Sequence, residues 1–89
     1  MKDQLIAQAE TLTGTLTGTD AQISFAISLI REYVFDRSKY TEQDDIDILS
    51  ALSEEKIGNV IYMLKKNPLD MVDFNAEKAR AKKLGYWVV

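Results

Sequence analysis

Three carboxylates crowd one short stretch, Asp44-Asp45-Ile46-Asp47. Hard cations such as calcium take several oxygens from a curved loop, with glycine at the sixth position and a bidentate glutamate at the twelfth. Counted from Asp45 those positions hold Ser50 and Lys56, and counted from Asp36 they hold Thr41 and Asp47. The pattern fails in both registers, and the cluster reads as a solvated helix start. Paired carboxylates do acid–base work when an apolar pocket raises the pKa of one of them. No two acids of this chain are set in such surroundings by their neighbours in sequence. Ser38-Lys39 are adjacent, so their side chains diverge and do not form a nucleophile–base pair. The repeat Leu12-Thr13-Gly14-Thr15, Leu16-Thr17-Gly18-Thr19 has the glycines of a phosphate-cradling loop. It lacks the lysine that must come after the second glycine, and Asp20 opposes an anion there.

Composition closes further routes. The 89 residues contain no Cys and no His. Disulfides, Cys/His zinc sites, histidine bases and cysteine nucleophiles are therefore excluded. No catalytic, cofactor-binding or metal-binding residue is assigned, and a non-enzyme is expected.

Charge is more telling. The net charge is −3, with 14 acids against 11 bases. From Glu32 to Glu55 eight acids face two bases, whereas from Lys56 to Val89 seven bases face three acids. The basic end concentrates Lys78, Arg80, Lys82 and Lys83 ahead of Tyr86 and Trp87. Cations beside aromatic rings suit phosphates and stacked bases. The plainer reading is a helix end complementing its own dipole, and a pI near 4.8 argues against a broad electrostatic grip. The acidic middle suggests the converse, a row of carboxylates imitating a phosphate backbone.

The elements that must position these residues are helices. Leu5, Ile6, Ala9 and Leu12 mark one face over Lys2 to Leu12, and the Thr/Gly repeat then reads as a linker. Thr19-Asp20-Ala21-Gln22 is a capping box opening a helix to about Phe35 or Asp36. Its stripe Ile23, Ile27, Ile30 and Val34 is widened by Phe25, Ala26, Leu29 and Tyr33. So much apolar circumference predicts a central helix touched from several sides. Thr41 caps a short helix ending near Ala51 or Leu52, with Glu42 and Asp44 in its first turn. Ser53 starts the next, with the face Ile57, Val60, Ile61, Leu64 and a stop at Lys65-Lys66-Asn67-Pro68. Gly58 there predicts close approach by a neighbouring helix. Asp70 or Asp73 caps a last helix ending at Gly85, and Tyr86-Trp87-Val88-Val89 must fold back onto the bundle or into a partner.

Two of these segments carry a resemblance. Thr19-Asp20-Ala21-Gln22-Ile23, then Leu52-Ser53-Glu54-Glu55 and Ile61-Tyr62-Met63-Leu64, resemble a small helical module of bacterial and phage proteins of unknown function, sometimes appended to DNA-processing proteins. The likeness covers roughly residues 16–66, with Lys56 where that pattern has a small residue. It implies a non-catalytic module near nucleic-acid or mobile-element biology and transfers no functional residue.

The expectation is one all-α domain of four or five short helices. Residues 1–18 form the first helix and linker, 19–84 the helical core and 85–89 an aromatic tail. The longest uncharged apolar run, Ala21 to Ile30, is far short of the ~20 residues that span a bilayer. With no signal-peptide pattern, cytoplasmic residence is the expectation. The leading functional expectation is a protein-interaction module, a phage or mobile-element regulator or inhibitor of a host enzyme. Asp44, Asp45, Asp47, Tyr86 and Trp87 are its candidate partner-binding residues. The alternatives are a nucleic-acid accessory module using Lys78, Arg80, Lys82 and Lys83 with Trp87, and a homo-oligomer joined through the wide apolar faces.

Overall fold

A computed structural model describes residues 3–37, 42–66 and 73–88. They form an all-α bundle of five helices: α1 (Asp3–Thr15), α2 (Asp20–Glu32), α3 (Glu42–Leu52), α4 (Ile57–Leu64) and α5 (Phe74–Leu84). Among the described residues there is no strand, and no helix is long and apolar enough to cross a membrane.

Helix α1 buries Leu5 and Leu12 and packs most extensively on α3. At its start, Glu42 of α3 accepts the Leu5 amide at 3.4 Å, placing a carboxylate at the positive helix end. The helix runs past Leu12, where a linker was expected. Thr11, Thr13 and Thr15 each turn their hydroxyl back onto a carbonyl of the preceding turn, those of Ala7, Ala9 and Leu12. These bonds satisfy the hydroxyls, and the packing of α1 on α3 through buried Leu5 and Leu12 holds the helix despite the poor propensity of threonine. Only the second half of the repeat is the turn. Gly18 keeps the capping box undisturbed there, because a Cβ would lie 2.7 Å from Gln22 Oε1 and 3.1 Å from Ile57, and the Gln22 side chain would have to move.

Helix α2 opens on the expected capping box. Gln22 N–H donates to Thr19 Oγ1 at 3.1 Å, and Thr19 N–H donates to Gln22 Oε1 at 3.0 Å. The helix lies against α4 and, less closely, α1, and continues as a π-helical segment, Tyr33–Arg37. Its buried face is Ala26, Leu29, Ile30, Tyr33 and Val34. Ile23 and Ile27, placed by periodicity at the centre of the stripe, are only half-buried, and Phe25 is 47% exposed. The helix is touched from two sides, by α4 and α1, and part of its apolar stripe is left uncovered.

The expected start of α4 needs correction. The helix begins at Ile57, not at Ser53, and residues 53–56 form a turn. The Ser53 hydroxyl donates to the Ser50 carbonyl at 2.6 Å and so finishes α3 instead of capping α4. Asp73 caps α5 by accepting the Ala76 amide at 3.1 Å. Gly85 ends α5 in the left-handed region, φ 81°, with Tyr86 N–H donating to Ala81 O, a Schellman closure. The expected roles of Thr41, Asn67, Pro68 and Asp70 lie outside the described residues.

The chain end folds back as anticipated. Trp87 is 8% exposed and meets Tyr62 and Phe74 edge-on at 6.3 and 6.4 Å. The buried Asn59 of α4 donates through Nδ2 to Val88 O at 2.7 Å and accepts Val88 N–H through Oδ1 at 2.8 Å. What approaches Gly58 is this strap and not a helix: a Cβ there would lie 3.4 Å from Val88.

Candidate protein-interaction surface

The acidic triplet is divided by the fold. Asp44 and Asp47 are exposed on α3 and line a cleft with Asp73, Phe74 and Asn75. Asp45, on the same helix, is 1% exposed and accepts the Tyr33 hydroxyl at 2.6 Å. Tyr33 is itself fully buried, so Asp45 is a tether between α3 and the π-helical end of α2. It does not face a partner. Of the two aromatic candidates, Tyr86 is 61% exposed, whereas Trp87 belongs to the core.

The basic helix is divided as well. Lys78 donates to Glu55 at 2.5 Å and lies 5.6 Å over the Trp87 ring. Arg80 approaches Glu77 at 3.6 Å, and Glu77 also meets Lys66 at 3.6 Å. Lys82 and Lys83 are exposed. At about 100° per residue, Lys78 and Lys82 share the side facing Glu55, and Arg80 faces the opposite edge. The four cations expected to act together with Trp87 form no common face. The acidic middle and basic end thus partly neutralise each other in space, through Lys78 and Glu55.

A different feature stands open. The incomplete coverage of α2 leaves a groove of about 370 Å³ between α1 and α2. Ile6, Ala9, Glu10 and Thr13 form one wall, and Ile27, Ile30, Arg31, Val34 and Phe35 form the other. Ile30 and Val34 make an apolar floor, Ile6, Ala9 and Ile27 are half-buried, and Phe35 stands 59% exposed at one end. The wall from Ile6 to Thr13 spans about 10 Å and that from Ile27 to Phe35 about 12 Å, at ~1.5 Å per residue. Each is about two helical turns. Glu10 and Arg31 put opposite charges on the two walls.

None of these residues stands out as a site in the sequence. The available signal is the excess apolar circumference of α2, which periodicity alone assigns to the core. Comparison with protein-family models, curated proteins and solved structures finds no match to this chain. The surface itself is therefore the guide to function.

Proposed function

We propose that the protein is a non-catalytic interaction module that binds an amphipathic helix of another protein in the α1–α2 groove. The observation that carries this reading is an apolar trough two turns long, floored by Ile30 and Val34, ending at exposed Phe35 and flanked by charges of opposite sign. Groove recognition of a helix uses apolar anchors at i, i+4 and i+7, and a trough of this length takes that spacing. Glu10 and Arg31 select a helix with a base on one flank and an acid on the other, which sets its direction. Occupancy is then the activity. A protein of this kind regulates or inhibits the owner of the helix by covering a segment that the owner needs.

The test is selection from a displayed library of helical peptides roughly three turns long. Enriched sequences are expected to carry the i, i+4, i+7 pattern with flanking charges of opposite sign. Their binding should shift the amide resonances of Ile6, Ala9, Ile27 and Val34, and Phe35→Ala should weaken it at least about tenfold, as for an anchor residue. No enrichment, or shifts on another face, overturns the reading. So does sedimentation showing a concentration-dependent dimer that Phe35→Ala abolishes, because a second copy then fills the groove.

A further inference from the structure

A second surface, built by α4 and the C-terminal strap, has a different chemistry. Tyr62 and Tyr86 lie side by side with ring centroids 6.2 Å apart and planes tilted by 42°. They border an open trough of about 530 Å³ together with Gly58, Ile61, Lys65 and Lys66. In a protein of net charge −3, the described residues lining this trough supply two rings and two ammonium groups and no carboxylate. An acid bordering it is Glu77, which meets Lys66 and is shared with Arg80.

The rings are held in place. Tyr62 has Trp87 packed edge-on against it and the Lys66 ammonium 4.8 Å from its centroid. Tyr86 is 61% exposed, yet the backbone on both sides of it is fixed. The Ala81 carbonyl accepts the Tyr86 N–H at 2.9 Å, and two residues on, the Asn59 side chain binds both polar groups of Val88. A large aromatic held in water on a fastened strap loses little conformational entropy when a flat ligand stacks on it.

We propose that the Tyr62–Tyr86 shelf binds single-stranded nucleic acid, with one base stacked on Tyr86 and the adjoining phosphates at Lys65 and Lys66. Unpaired bases offer π-faces and flexible backbones, which is what a ring-and-ammonium shelf recognises. A duplex hides its base faces and must be gripped by many phosphate contacts, which this acidic protein does not offer. The residues differ from those expected from sequence. Trp87 supports the shelf from the core, Lys78 is held at 2.5 Å by Glu55, and the exposed ring and cation come from Tyr86 and Lys65, with the half-buried Lys66, 3.6 Å from Glu77, beside them. The inference is independent of the α1–α2 groove.

The test is fluorescence anisotropy with a labelled oligothymidylate roughly ten nucleotides long, at about 20 and about 200 mM salt. Binding is expected at low salt, with a log–log salt slope of about −1.4 for two phosphate contacts. Tyr86→Ala should weaken it by roughly 5- to 150-fold, the range for losing one stacked base, and Tyr86→Phe should retain it. Lys65→Gln should flatten the slope by about 0.7. An abasic strand of equal length, or the same sequence as a duplex, should bind more weakly, and Phe35→Ala should leave binding unchanged. The proposal is overturned by no binding at low salt, by equal affinity for the abasic strand or duplex, or by indifference to Tyr86→Ala. Tyr86 is exposed, so its substitution leaves the fold intact, and circular dichroism verifies this.

Discussion

The bond between Tyr33 and Asp45 should be a measurable part of the protein's stability. Both residues are essentially fully buried and their oxygens are 2.6 Å apart. Tyr33→Phe deletes only the hydroxyl and leaves a buried carboxylate short of a donor. A hydrogen bond to a charged group contributes ~1.5–3 kcal/mol, so a loss of about 2 kcal/mol is expected. Asp45→Ala removes the acceptor 2.6 Å from the Tyr33 hydroxyl, with a similar loss. The double variant Tyr33→Phe/Asp45→Ala should cost less than the two losses added, because the shared hydrogen bond is then lost once and not counted twice. The expected coupling energy is about 1–2 kcal/mol. Chemical denaturation in urea is the assay. With a slope of roughly 1 kcal/mol per molar for a chain this small, Tyr33→Phe should lower the midpoint by about 2 M. Total stability on the scale of ~0.05–0.15 kcal/mol per residue makes that a large fraction of the whole. Additivity of the two single variants within about 0.3 kcal/mol would refute the pairing and the role of Asp45 as a tether.

Three further outcomes are expected from the packing. Gly14 is helical with open space around it, so Gly14→Ala should stabilise by about 0.4–1 kcal/mol, while Gly18→Ala should destabilise by about 1 kcal/mol through the displaced capping box; thermal melts of the two variants compare them. Asn59→Ala removes two hydrogen bonds to the strap and should cost about 2 kcal/mol, and emission from the single tryptophan, Trp87, should shift to the red as it gains solvent. Hydrogen bonding to Tyr62 chiefly, with the charges of Tyr62 and Glu77 adding to it against a burial penalty, raises the pKa of Lys66 above 10.5. That contribution to stability is complete below pH 10.5 and is lost as pH rises through the raised value, so wild type should lose more of its melting temperature across that window than Lys66→Met does.

The parts of the fold legible in sequence are those decided by neighbours along the chain. The Thr19–Gln22 box, the Asp73 cap and the Gly85 stop each depend on residues within one or two turns, and all three form. The start of α4 misleads because Ser53 can bond backward or forward, and the backward bond to Ser50 prevails. Thr13 and Thr15 mislead because propensity is a weak prior, and the packing of α1 on α3 overrides it. Asn59 carries no signal at all, since its partner Val88 is 29 residues away. The candidate surfaces are the least legible. Period alone cannot tell whether Ile27 meets another helix or an open groove. Nor can it show that Asp45 turns inward between Asp44 and Asp47, or that of two adjacent rings Trp87 is buried and Tyr86 is not.

The α1–α2 groove is proposed to recognise a helix by its apolar spacing and by the charges of Glu10 and Arg31. The most direct measurement is the affinity of a selected peptide, and of its charge-reversed twin, for wild type and for the double variant Glu10→Arg/Arg31→Glu. Exchanging two surface charge pairs for two like-charge pairs should weaken the original peptide by about tenfold. The reversed peptide should show the opposite preference and bind the variant better than wild type. Equal affinities across the four combinations would contradict the claim.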